Sequence, residues 1–520
     1  MRRQLTGRAL RAERGFTTVV VMMVILLGGL LVAAAFAASD GDTSITRKDQ
    51  YYKQAYAAAE AGVNYYLSHL AQNTNYWANC YTAPIQAPGT AYSTSTSQAI
   101  PGSEGRYEIE LLKAPNYSGA CSATVTSSVI DPSSGQLSIR STGYYRGVRR
   151  SIVATFKRQG FLNYLWFTDY ETPDPLTYSD PTTAQSKCAM YYRDGRDTSY
   201  CRDQSFITGD GVDGPAHTND EFLMCGTPAF GRTNNGNVDK IEASDPNGWR
   251  YSCSGTNPTF NGVTKWGASN LQLPTSNSAI KSYANSNWIF TGPVHITLSG
   301  STATVKNSAG TTLRTGTITN GVIYVQNGTC STSFAASQQY PSGGGCGDAW
   351  VSSSSTSPVT SDVTIAAEND VIIAGNLQHN SSSVIGLIAN DFVRVYHPVQ
   401  YSYGSCDQNS ANITPTSGEG NGIAYLQDPI IQAAILSLNH SFWVDNYGCG
   451  SALGSLHVTG AIAQKFRGTV GTHSNGVGVT GYLKDYNYDS ALRYHQPPYF
   501  LDPVQASWDI FSQTEQVPAH

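Results

Sequence analysis

A chain of 520 residues with 13% charged residues and a net charge of −5 is long enough for two or three hydrophobic cores. It is too weakly charged to read as a nucleic-acid binder or to carry a strongly acidic tail. Abundant Gly, Ser, Thr, Asn and Tyr give a polar surface of the extracellular kind, and ten cysteines without a CxxC or a zinc-spaced Cys/His cluster point to no metal and no cofactor.

The first element is apolar. From Val19 to Ala38 all twenty residues are Val, Met, Ile, Leu, Gly, Ala or Phe, a helix of about 30 Å at about 1.5 Å per residue. Arg2, Arg3, Arg8, Arg11 and Arg14 lie upstream and "SDGDTS" downstream, so the positive-inside rule keeps residues 1–15 cytoplasmic and exports the rest. "AAAFAAS" offers a signal-peptidase site, but the segment after it argues against removal. In "TRKDQYYKQAYAAAEAGVNYYLSHLAQ", Ala55, Ala58, Ala59, Gly62, Val63, Tyr66, Leu67 and Leu70 recur at helical spacing. The expected element is one helix over 16–70, first membrane-spanning, then amphipathic.

These residues resemble a family. "RGFTTVV" looks like the class III leader of type IV pilins and pseudopilins, and "YKQAYAAAEAGVNYYLSHLA" looks like the first helix of PilX-type minor pilins. The resemblance implies that residues 1–15 are a leader, cut between Gly15 and Phe16 by a prepilin peptidase, and that Phe16 becomes N-methylated. It also implies an inner-membrane assembly platform and other pilins and minor pilins as partners. The product would be a single-pass membrane protein displayed on a pilus or the cell surface. One position departs from the pattern. Major pilins carry Glu as the fifth mature residue, and here that position is Val20. In the family that carboxylate is thought to pair with a neighbouring subunit's amino terminus, an attraction strengthened by the low dielectric of the bilayer. Among pseudopilins it is typically missing from the subunit at the tip.

Residues 71–160 follow as a loop and then "GRYEIELLKAP", "CSATVTSSVI" and "GQLSIRSTGYYRGVRRSIVATFKR", whose alternation predicts antiparallel strands covered on one face, a pilin-like sheet domain. Arg146, Arg149, Arg150, Lys157 and Arg158 read as a solvated basic stripe on that sheet. From 161 to about 495 the apolar runs become short and continuous, as in "VTIAAENDVIIAGNL" and "VIGLIANDFVRVYHPV", which predicts strands buried in a stacked parallel coil. The expected fold is therefore mainly β: a long N-terminal helix with an antiparallel sheet, then an irregular right-handed parallel β-helix. A β-sandwich is the alternative. Loops 232–284 and 400–422 are expected to project, and 496–520 to form a C-terminal tail. Several phrases of the C-terminal half also look like those of large exported PilX-like proteins, without a defined activity.

In chain order the cysteines suggest five staples in an oxidising compartment: Cys80 with Cys121, Cys188 with Cys201, Cys225 with Cys253, Cys330 with Cys346 and Cys406 with Cys449. Free buried thiols are the alternative. For chemistry, Asp210, Asp213, His217 and Asp220 in "GDGVDGPAHTND" are the weak candidates for a metal site or an acid pair, although Asp, Asn and Gly are also what turns require. His397 and His440 read as satisfied core histidines. No nucleophile elbow, P-loop or dinucleotide fingerprint is present. The expectation is a non-enzymatic minor pilin or pseudopilin-like subunit, at the tip or initiating assembly, with an adhesive surface. The second hypothesis is an anchored protein that binds or degrades surface polysaccharide.

Overall fold

In a computed structural model the first described element is an α-helix, Phe16–Gln72. The structure describes residues 16–520 apart from 116, 132–133, 234–238, 331–345, 398–425, 475–476, 494 and 505–507. No proline interrupts the helix. Its two parts differ in burial. Thr18–Ala37 is bare, whereas Ala55, Ala58, Ala59, Val63, Tyr66 and Leu70 are fully buried.

The partner of that second part is a sheet in the order Ile85–Gln86, Arg106–Leu111, Gln136–Tyr145, Val148–Arg158, Trp508–Gln516. The first pair is parallel and the others antiparallel. Strand alternation turns Leu137, Ile139, Ile152, Ala154 and Phe156 onto the helix. The small residues of the "AEAG" stretch bring the two backbones together. A Cβ on Gly143 would lie 2.1 Å from Ala55 O and 2.3 Å from Ala59 N, and one on Gly62 would lie 2.2 Å from Ser141 Oγ. Only glycine leaves room for this approach.

The last strand corrects an expectation. Residues 496–520 are not a tail: Trp508–Gln516 pairs along Val148–Arg158, from Trp508 beside Arg158 to Gln516 beside Ser151. Residues 159–507 are thus an insertion between two neighbouring strands. The basic stripe is likewise not simply solvated. Arg146 pairs with Glu104 and Arg150 with Glu515, while Lys157 is buried and donates to Arg493 O, and Arg158 lies over Trp508.

The insertion is mainly β. One ladder of parallel strands runs Thr259–Phe260, Ala229–Phe230, Gly211–Asp213, Val477–Tyr488, Ala452–Arg467, Ile430–Ser437, Ile385–Ala389, Val363–Ala367, Val322–Gln326, Ile289–Thr291. A second runs Val294–Ser299, Ala349–Ser353, Val371–Ile373, Val393–Val395, Phe442–Val444, again in parallel. The antiparallel pairs of a Greek-key sandwich do not build these ladders. Side chains of both ladders share one core, in which Val363, Ile365, Ile385 and Leu387 meet Val371, Ile373, Val393 and Val395. The outer face of the first ladder is covered too, with Tyr324, Ala366, Ile388 and Leu436 packing on Leu271, Leu273, Phe161 and Phe500. Burial on both faces explains the unbroken apolar runs. Aspartates tie successive layers. Asp348 Oδ1 accepts from Asp370 N at 3.2 Å and Asp370 Oδ1 from Phe392 N at 2.9 Å, each across 22 residues.

The region 232–284, expected as a projecting loop, contributes strands Asp239–Ala243, Trp249–Tyr251 and Gly262–Trp266 and the buried residues Leu271, Leu273 and Ile280. Loop 400–422 lies outside the described residues. Four of the expected disulfides form: Cys80–Cys121, Cys188–Cys201, Cys225–Cys253 and Cys330–Cys346. Cys449 is also disulfide-bonded, and Cys406 lies outside the described residues.

Candidate functional site

The most exposed apolar surface is the start of the helix. Thr18–Ala37 is long and apolar enough to cross a membrane, with a mean hydropathy of 2.9 and none of it buried. Val20 is 44% exposed and Leu31 71%. Twenty residues at about 1.5 Å span about 30 Å, the thickness of a bilayer core. Bare Val, Leu, Met and Phe over that length gain by entering lipid or by packing on other helices. Phe16 is the first helical residue, and Gly15 lies outside the described residues.

The four chemical candidates do not converge. Asp210 is buried beside Lys484, with Nζ 2.8 Å from Oδ2. Asp213 is exposed at the end of Gly211–Asp213. His217, on strand Ala216–Thr218, is buried between Glu242 Oε2 at 3.3 Å and Asn219 Oδ1 at 3.1 Å. Asp220 pairs with Arg196 and accepts from the amides of Tyr192 at 2.6 Å, Glu171 at 2.8 Å and Glu221 at 2.9 Å. Besides turns, the stretch carries two strands and buried ion pairs, because its charges face partners brought from far along the chain.

The electrostatics follow from burial. Desolvation pushes Asp220 up to about 6, with Arg196 pulling the other way. Burial works to raise Glu242 as well, but hydrogen bonds from His217 and from Tyr164 hold it at about 2. Among the described residues no group of three or more His, Cys, Asp or Glu side chains is placed to hold a metal. His397 is buried, donating through Nδ1 to Asp445 O at 3.0 Å, and burial pushes it down to about 4. His440 stacks on Phe392 and places Nδ1 2.9 Å from Asp174 Oδ2. Burial opposes its charge, but Asp174 and Asp391 outweigh that and raise its pKa.

Two features were missed in the sequence. Gly143 reads as an ordinary strand glycine until the helix backbone is seen against it. The layer aspartates Asp348 and Asp370 had a signal in their 22-residue spacing, hidden by turns that also use Asp and Asn.

No protein family matches the chain, and no curated protein matches it. Among solved structures it is similar to the competence-associated pilin ComZ from Thermus thermophilus, at 12% identity, over 90% of this chain and 98% of that one, with a TM-score of 0.29. At that score the likeness fixes neither fold nor function.

Proposed function

We propose that the protein is a minor pilin or pseudopilin-like structural subunit of a type IV filament system, cut between Gly15 and Phe16 and N-methylated on Phe16. The observation that carries this is the divided helix. Its first part is bare and apolar, and its second is seated on an antiparallel sheet through Ala55, Ala58, Ala59 and Gly62. Such a helix can serve as a membrane anchor before assembly and as a packing surface for other pilins afterwards. Val20 in place of a carboxylate, and the bulk of residues 159–507, favour the tip or the start of assembly. We read that inserted body as a right-handed β-helix, on the strength of its parallel ladders and 22-residue step. The role is taken as structural and adhesive rather than catalytic, since Asp210, His217 and Asp220 are each committed to a buried partner.

Intact mass of the membrane-extracted protein, made with and without a prepilin peptidase, tests the reading. Loss of residues 1–15 with gain of one methyl group is the expected result. Cleavage near Ala38 would sink it.

A further inference from the structure

A cavity of about 420 Å³ opens on the inserted body, within the ~300–1,000 Å³ range of small-molecule sites. It is built where Trp166–Pro173, the segment around Tyr191, the loop 270–275 and the end of Ala452–Arg467 come together. One wall is aromatic. Tyr191 stacks on Tyr170 at 4.6 Å, and Tyr170 on Phe466 at 5.2 Å. Asp169 lies beside that wall, held through one oxygen only: Oδ1 accepts from Tyr191 Oη at 2.7 Å and from Asn219 Nδ2 at 2.9 Å. Asn219 is itself locked, giving its other Nδ2 hydrogen to Leu271 O at 2.8 Å and accepting from Leu271 N at 2.8 Å. Asp169 Oδ2 has no hydrogen-bond partner among the described residues. The same holds for the side chains of Asn270, Gln272 and Thr275, and Lys465 makes no ion pair there.

The chemistry of this lining is selective. One carboxylate and one ammonium group leave no net charge to select an anion or a cation. A phosphate would have to approach Asp169, and an apolar ligand would strip water from Asp169, Lys465, Asn270 and Gln272 without replacing its hydrogen bonds. Hydroxyl groups both donate and accept, so a polyol can serve all four at once. The tyrosine stack supplies a rigid apolar wall for the C–H surface of a sugar ring. We propose that this cavity binds a neutral saccharide, with Asp169, Asn270, Gln272 and Lys465 holding its hydroxyls against the Tyr170–Tyr191 wall. The site is independent of whether the chain enters a filament.

The test is saturation-transfer NMR on the detergent-solubilised full chain. The probes are glucose, galactose, N-acetylglucosamine, maltose and cellobiose, with glucose 6-phosphate as the charged counter-probe. Saturable transfer to at least one neutral probe is expected. Asn270→Ala and Gln272→Ala should each weaken it about threefold to tenfold, and Asp169→Ala about tenfold to a hundredfold. Asp169→Ala removes internal hydrogen bonds as well, so the first two variants decide the matter: their side chains make none, and their Tm should stay at the parent value. The proposal is overturned by no saturable transfer to any neutral probe, by a preference for the phosphorylated sugar, or by affinities that the Asn270 and Gln272 variants leave unchanged.

Discussion

In Gln136–Tyr145 the residues Leu137 and Ile139 are buried and their neighbours Ser138 and Arg140 are not, whereas every residue of Val363–Ala367 and Ile385–Ala389 is buried. The sheet under the helix has a half-wet face, and these central strands of the inserted body do not. Charge is handled differently as a result. On the sheet Arg150 meets Glu515 with both side chains partly in water. In the body Arg467 and Glu171 are fully buried, and Arg394 lies buried between Asp370 at 3.0 Å and Asp445 at 2.6 Å. Removing one of these buried charges of the body should therefore be costly, and removing the partly hydrated Glu515 nearly free.

The largest effect is expected at Arg394. Arg394→Leu leaves two buried carboxylates without their cation, a loss of about 3–5 kcal/mol. Thermal unfolding of the full chain in detergent would read it as a large drop in Tm, and a drop no greater than that of a surface variant would refute the buried pair as a structural necessity. Next comes Gly143→Val. Its new side chain meets helix backbone, which cannot swing aside, so about 3 kcal/mol or more should be lost. Gly28→Ala is the control, because nothing lies within 4 Å of a Cβ there. Limited proteolysis should place the Gly143 effect in the helix and sheet, with the body's fragments unchanged. Release of body fragments instead would show that the regions are not separable in this way.

A third break in the comparison is pH. His397 is held at about 4 by burial, against an ordinary value of 6.5. Between those limits the unfolded chain carries the extra proton, so acidification favours unfolding. The contribution is fully present above pH 6.5, is lost as pH falls toward 4 and is flat below that. The slope should approach about 1.4 kcal/mol per pH unit, with a total of about 3 kcal/mol across the window. Denaturant midpoints measured from pH 7 to 4 should fall less steeply for His397→Gln. Parallel curves for the two proteins would remove His397 from the account.

What could be read from the chain follows the same division. The helix was legible because its contacts repeat locally: of the eight positions expected to face a core, Leu67 alone is not buried. The strands of the body were legible as apolar runs, and their parallel pairing follows from burial on both faces. Pairing over distance was not. Nothing near Trp508 says that it lies beside Arg158, and nothing near Asp210 says that its cation is Lys484. The cavity at Asp169 is hidden for the same reason, since Tyr191, Gln272 and Lys465 share no local pattern.

The smallest expected effect sharpens the comparison most directly, because it uses the same chemistry as the buried Arg467–Glu171 pair. Glu515→Gln removes the partner of Arg150 at the rim of the helix-facing side of the sheet, beside Tyr52, where about 30% of the Arg150 side chain and 27% of the Glu515 side chain remain in water. The solvent already screens this pair and can take over the freed guanidinium, so the loss should be about 0.5 kcal/mol or less and should shrink further at high salt. Glu171→Gln, which leaves Arg467 charged in a site with no water to turn to, should cost several times as much and respond little to salt. Equal costs for the two substitutions would mean that the Trp508–Gln516 strand depends on its charges. It would then be held by Arg150 and Glu515 as much as by the burial of Trp508 under the end of the helix.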